Sequence, residues 1–210
     1  MRQAERISSI RKIAVSAILT ALAVVLMYLE VPLFFFPGFL KFDFSELPVV
    51  IGAFVLGPVY GVIIELLKNL IHLPVTQTAG IGELSNFITG SIFVFTAGLV
   101  FKRTKTFKCA AIALIVSSLV LTVLSYPINY FITLPLYSKV LGFTTEAIVG
   151  MCSAVNPLCK DKATCVLYAF VPFNLFKTVV ISVLSFALFK PVSLVVHLEK
   201  GKSKTKSSTQ

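Results

Sequence analysis

The sequence predicts an all-α membrane protein, a bundle of six transmembrane helices with the N and C termini both cytoplasmic. Three observations carry this. The 210 residues are 57% hydrophobic, with a mean hydropathy of +0.93 and only 13% charged residues, where a soluble domain carries about 25%. The apolar residues gather in runs at 13–29, 47–56, 59–73, 84–101, 109–137 and 164–189. The positive charges gather between those runs. A net charge of +10 would suggest nucleic acid in a soluble chain, but charge placed between apolar runs speaks for membrane topology and against a nucleic-acid partner.

Residues 1–12 form a basic, polar head, and with the first run they resemble a signal peptide. No clear small-residue cleavage site follows, so the run reads as an uncleaved span. Ala14, Ala17 and Ala21 place small residues three and four apart on it, a pattern that lets helix backbones approach closely. It serves either packing within the bundle or the docking of another subunit.

Residues 30–46 form a loop rich in Phe and Pro, either a lid over a pocket or a layer at the bilayer interface. Runs two and three are short for a hydrocarbon core of about 30 Å, which needs about 20 residues. Hinged at Gly57-Pro58, they are two spans or one kinked helix. Run five carries Pro127 and Pro135 in its second half. A long polar loop, 138–163, precedes run six. The membrane domain then closes at about residue 196, and 197–210 is a basic, Ser/Thr-rich tail expected to be disordered.

Charge decides the number of spans. With six, Arg2, Arg6, Arg11, Lys12, Lys102, Arg103, Lys105, Lys108, Lys190, Lys200, Lys202, Lys204 and Lys206 fall inside, and Lys41, Lys139, Lys160 and Lys162 fall outside. Fusing runs two and three reverses the bias, to seven inside and ten outside. The excess of positive charge on the cytoplasmic side favours six. The 30–46, 74–83 and 138–163 loops are then on the outer face.

Gly61, Glu65, Lys68, Asn69 and His72 fall on one face of the third run at helical spacing. Lipid does not tolerate such a stripe, so it faces protein, water or a ligand. In six spans, Lys68, Asn69, His72, Glu83, Asn86 and Asn129 all lie toward the outer side, with Asn174 and Lys177 at middle-to-outer depth. A lysine at the centre of a span costs about 2.5–3.5 kcal/mol and needs a partner. For Lys177 the candidates are Glu65, Asn174 or an acceptor-rich ligand. Amides offer donors and acceptors while Lys only donates, so the set suits a planar heterocycle with alternating edges, or a polyol. Phe170, Phe173, Phe176, Tyr126 and Tyr130 are at hand to enclose an aromatic ring.

The chain shows no catalytic engine. There is no GxxxxGK[ST], GxSxG or HExxH, and Cys109, Cys152, Cys159 and Cys165 form no CxxC. No metal site and no cofactor are expected. A membrane enzyme acting on lipid head groups would need a carboxylate cluster or a nucleophile–base pair. The nine acidic residues are scattered, with no DxxD-like cluster. His72 lacks a nucleophile or metal partner and reads as interfacial.

Three stretches carry a resemblance: LKFDFSELP…GP..G…LLKNLIHL over 40–73, GELSNFITG ending at Gly90, and PFNLFKTVVISVL over 172–184. They resemble the riboflavin-specific S components of ECF-type vitamin transporters, over about residues 13–190. The resemblance implies a binding subunit in the prokaryotic cytoplasmic membrane. It captures riboflavin as a transported ligand and works with a transmembrane T component and two ATPase subunits. It places Asn129, Asn174 and Lys177 on the flavin, with Leu40 and Lys41 in a loop covering the pocket. Asp43, Lys68, Asn69, Glu83 and Asn86 are further candidates, and Ala17 and Ala21 match the small-residue motif that docks on the T component. Transport is implied to proceed by toppling of the S component in the membrane. Alternative cargoes in the same class are thiamin, pantothenate and folate. The 138–163 loop departs from the family pattern: Glu146 is a weaker pocket candidate, and Cys152 and Cys159 are either a disulfide or two exposed thiols.

Overall fold

The structure is a computed structural model that describes residues 2–205, with side chains described for residues 9–188. The tail expected to be disordered over 197–210 lies outside the described side chains, and from residue 206 outside the described backbone.

The chain folds as a helical membrane bundle. Its helices are α1 (Arg2–Tyr28), α2 (Glu46–Leu56), α3 (Pro58–His72), α4 (Ile81–Phe101), α5 (Phe107–Ile128), α6 (Leu134–Leu141), α7 (Thr145–Ser153), α8 (Lys162–Cys165) and α9 (Val171–Thr205). Five described segments are long and apolar enough to cross a membrane: Ser9–Tyr28, Pro58–Val75, Ile81–Phe101, Phe107–Leu141 and Lys162–Leu188. The helix Glu46–Leu56 is apolar but shorter. One departure from an all-α fold is a two-residue antiparallel ladder within the Phe-rich loop, β1 (Val31–Pro32) with β2 (Lys41–Phe42).

The break between α2 and α3 is a reversal. Gly57 sits at φ 111°, a conformation that only glycine adopts without strain, and Pro58 starts α3 where its missing N–H costs nothing. The two helices then lie side by side. A Cβ at Gly61 would stand 2.8 Å from Ala53 Cβ, and one at Gly52 would stand 2.5 Å from Ile64 Cδ1. The single kinked helix is therefore excluded.

Alanines run through the core, Ala23 of α1, Ala53 of α2, Ala97 of α4, and Ala110 and Ala113 of α5, between larger buried side chains such as Ile64, Phe93, Leu114 and Ile181. The alanines let the helices approach closely, as packing between apolar helices in lipid requires. The outer surface is equally apolar. Ile112, Ile115, Leu119 and Val123 form an exposed stripe on α5, so α5 is apolar on both its core and its lipid faces.

Two five-residue stretches, Asn129–Thr133 and Val166–Phe170, are wound wider, as π-helix. Prolines explain both. Pro135 follows the first, and in the second Pro172 has no N–H to give to the Tyr168 carbonyl. That carbonyl instead accepts from Asn156 Nδ2 at 3.3 Å.

The 138–163 segment differs from a loop. Gly142 in the left-handed region ends α6, and the Thr144 hydroxyl accepts from Ala147 N to start α7. One face of α7, Ile148 and Cys152, is buried. Cys152 and Cys159 are buried free thiols beside Cys165, which corrects both the disulfide and the exposed-thiol alternatives. Burial pushes each of their thiols up to about 11, so they stay protonated and unreactive.

Gly61→Leu is expected to lower stability by about 1–3 kcal/mol through overpacking, because the new side chain meets the Ala53 backbone. A fall in the thermal unfolding midpoint of the detergent-purified protein checks this.

Candidate functional site

The Asp43–Glu46 segment delivers two buried carboxylates onto α3, α4 and α9. Asp43 Oδ1 accepts from Ser45 N at 2.7 Å, and Lys68 Nζ donates to Ser45 Oγ at 2.8 Å and to Glu46 Oε1 at 2.7 Å. Lys68 also stands 2.9 Å from Glu65 Oε2. Glu65 Oε1 accepts from Asn69 Nδ2 at 2.9 Å, and Asn69 Oδ1 accepts from Asn86 Nδ2 at 3.2 Å. Lys177 Nζ closes the ring, donating to Asn86 Oδ1 and to Asp43 Oδ2, each at 3.0 Å. The helix face with Gly61, Glu65, Lys68, Asn69 and His72 is buried, as its spacing predicts.

Lys177 finds a different partner from the sequence candidates. It pairs with Asp43, with Glu46 at 3.8 Å behind, and not with Glu65 or Asn174. Burial pushes the Asp43 carboxyl up, but the Lys177 and Lys68 ammoniums more than offset this and bring it to about 2. The acidic residues are also less scattered than the sequence suggests. Asp43, Glu46 and Glu65 converge, neutralised largely by two lysines. Among the described residues no group of three has metal-binding geometry.

Above this ring lies a cavity of about 310 Å³, at the lower end of the size range for ligand pockets. Leu40, Lys41, Asp43, Glu83, Asn86, Asn129, Asn174 and Lys177 all line it. Asn129 Nδ2 donates to Ser125 O at 2.7 Å and Asn174 Nδ2 to Phe170 O at 2.9 Å. Each amide is anchored to its own helix and keeps a second N–H and an oxygen for a ligand. Phe39, Tyr137, Phe170 and Phe173 supply aromatic wall, with Phe39 at 5.7 Å from the Phe170 ring and 6.0 Å from the Tyr137 ring.

Other candidates fall elsewhere. Lys68 and Asn69 do not line the cavity; Asn69 holds Asn86, which does, and Lys68 binds Ser45, Glu46 and Glu65 behind it. Glu146 is on the exposed face of α7, because the helix turns Ile148 and Met151 to the cavity. Phe176 packs on Phe35, Phe36 and Phe42 of the loop. Tyr126 and Tyr130 stack on each other, with Lys162 above Tyr130. His72 Nδ1 meets Glu83 Oε1 at 2.9 Å.

Gln77, Thr78, Ser85, Thr89, Thr133 and Tyr137 also line the cavity and were missed. Thr133 lies one turn beyond Asn129, and Ser85 and Thr89 lie beside Asn86, so helical periodicity could have found them. The loops close the mouth: Lys41 Nζ donates to Glu30 Oε1 at 2.6 Å and to Gln77 Oε1 at 2.9 Å, joining the end of α1 to two loops. Phe143 and Met151 reach over from the α7 segment.

Ala14, Ala17 and Ala21 are exposed. The face of α1 that packs inward is Ser16, Thr20, Ala23 and Met27, so the alanines do not serve packing within this chain.

Lys68→Met is expected to cost about 3–5 kcal/mol, because two buried carboxylates lose their cation. Loss of folded, monodisperse protein in detergent checks it. Asp43 has a depressed folded pKa, so its stabilisation is complete above its ordinary 3.8 and is lost as pH falls towards about 2. The gap in unfolding midpoint between wild type and Asp43→Asn is expected to narrow across that window.

The profile "ECF transporter, substrate-specific component" matches residues 11–189. The chain is 31% identical over 199 residues to "Riboflavin transporter FmnP" of Bacillus subtilis (strain 168), covering 92% of this chain and 97% of that one. It is 30% identical over 180 residues to "Riboflavin transporter RibU" of Staphylococcus aureus (strain TCH60), covering 86% and 89%. A solved structure, described as "Structure and mechanism of the S component of a bacterial ECF transporter", superposes with a TM-score of 0.71 at 28% identity, over 90% of this chain and 98% of that chain. With most of its length matched, the chain belongs to the substrate-specific components of ECF transporters.

Proposed function

We infer that this chain is the riboflavin-capturing S subunit of an ECF-type transporter, a binding subunit and not an enzyme. The observation that carries the reading is the cavity. Anchored amides of Asn86, Asn129 and Asn174 and the ammonium of Lys177 face it between aromatic walls, which suits a heterocycle with both donor and acceptor edges. The names of its relatives FmnP and RibU point to the same ligand.

The reading includes six spans with both termini cytoplasmic. The α2–α3 reversal supports it, and so does the placement of Lys12 and Lys102 at the end opposite the cavity. The protein then sits in the cytoplasmic membrane of a prokaryote with its cavity opening outward. A transmembrane T component and two ATPase subunits supply the energy, since the sequence has no P-loop of its own. The exposed Ala14, Ala17 and Ala21 are the surface offered to the T component, small enough for close helix approach.

Asn129→Ala and Asn174→Ala are each expected to weaken riboflavin binding about five- to a hundredfold, the loss of a hydrogen bond worth about 1–3 kcal/mol. Titration by quenching of flavin fluorescence measures it, and wild-type affinity in the double variant would displace the ligand from this cavity. Replacing Ala17 and Ala21 by Trp is expected to leave that affinity intact while abolishing riboflavin uptake by cells.

A further inference from the structure

At the end of the bundle away from the cavity, α2, α3 and α4 leave a groove of about 280 Å³. Its floor is apolar and buried: Ala53, Phe54 and Phe101, with the two rings 4.4 Å apart. Val55, Val59 and Tyr60 form its side. Val55 is 39% and Val59 60% exposed, on a bundle whose exposed apolar side chains face lipid, so the groove opens sideways into hydrocarbon.

Two glycines shape the groove. Gly57 leaves space because it contributes no side chain, and the close contact of α4 with α3 at Gly98, where a Cβ would stand 2.9 Å from Pro58 Cα, bounds the groove on its inner side.

The mouth is cationic. Lys102 and Lys105 line it and are both exposed. Lys105 is held at the end of α4 with φ 52°, its N–H donating to Phe101 O at 3.1 Å. Lys12 adds a third ammonium, 5.9 Å from the centre of the Tyr60 ring. None of the described carboxylates lines the groove, so the lysines have no acidic neighbour within it.

We propose that this groove binds an anionic phospholipid, with one acyl chain along Phe54 and Phe101 and the head-group phosphate between Lys102 and Lys105. A soluble anion gains nothing from the apolar floor, and a purely hydrocarbon occupant gains nothing from the lysines at the mouth. An amphiphile with a negative head matches both ends, as basic pockets between spanning helices match anionic lipid. The lysine stems lie along the groove wall while their ammoniums reach the interface. The proposal rests on the chain spanning the membrane and is independent of riboflavin being the ligand in the cavity.

Native mass spectrometry of the full chain tests it, with phosphatidylglycerol and phosphatidylcholine of identical acyl chains supplied in equal amounts. The wild type is expected to retain phosphatidylglycerol about twenty-fivefold better, Lys102 and Lys105 each contributing about fivefold. Lys102→Gln with Lys105→Gln is expected to bring the two lipids within a few-fold of each other. Riboflavin binding by the same double variant, unchanged because the cavity is at the other end, shows that it is folded. Val59→Trp, which fills the groove and leaves the lysines, is expected to lower retention of both lipids. Equal retention by the wild type would overturn the proposal, as would an undiminished preference in the double lysine variant. A photoreactive residue at Tyr60 that labels the membrane partner subunit and not lipid in the assembled transporter would overturn it in favour of a protein occupant.

Discussion

A closed ring of buried polar groups holds this bundle in register: Asp43, Ser45, Lys68, Glu65, Asn69, Asn86 and Lys177, with Glu46 inside it. In lipid there is no water to accept an unpaired charge, so each of these groups depends on the others being in place. The ring joins a loop, α3, α4 and α9, segments up to 134 residues apart in the chain. Apolar packing alone specifies such a bundle weakly, because lipid tails are as apolar as the helix faces. The polar ring supplies the registry that hydrocarbon contacts do not. Its net charge is also nearly balanced, three carboxylates against two ammoniums, which keeps the burial affordable.

The ring is at the same time the floor of the cavity. Asp43, Asn86 and Lys177 belong to both, while Lys68, Glu65 and Asn69 brace them from behind without lining the cavity. Lys68 illustrates the division. It is fully buried and close to three acceptors, on Ser45, Glu46 and Glu65, and it ties the segment that carries Asp43 to α3 without lining the cavity itself. Above the floor, prolines widen two helices into π turns, and the first of these stretches contains Asn129 and Thr133, two of the cavity residues. Wider turns of this kind recur at functional sites because they re-aim side chains without ending the helix.

The two ends of the molecule divide its chemistry. At one, the Phe-rich loop, the turn around Gln77 and α7 meet over the cavity, latched through Lys41 to Glu30 and Gln77. At the other, lysines flank a narrow apolar groove beneath the α2–α3 reversal. Between them the exposed surface is largely apolar, and on α1 the small side chains of Ala14, Ala17 and Ala21 leave a flat face.

Much of this was legible in the sequence because membrane burial imposes simple rules. Run length and hydropathy located the helices, and the impossibility of Glu65, Lys68 and Asn69 facing lipid determined the inner face of α3. The same reasoning brought Asn86, Asn129, Asn174 and Lys177 toward one region, and the cavity gathers all four. Tertiary structure alone decided the pairing. Lys177 chose Asp43, 134 residues away, because a partner across a bundle depends on which helices become neighbours, and helical periodicity carries no such information. It likewise decided that Lys68 and Asn69 support the site from behind, that Glu146 points to solvent, and that Cys152 and Cys159 are interior. A nine-residue helix, α7, turns one face inward only once it has a bundle to rest on, since an isolated helix of that length is not stable by itself.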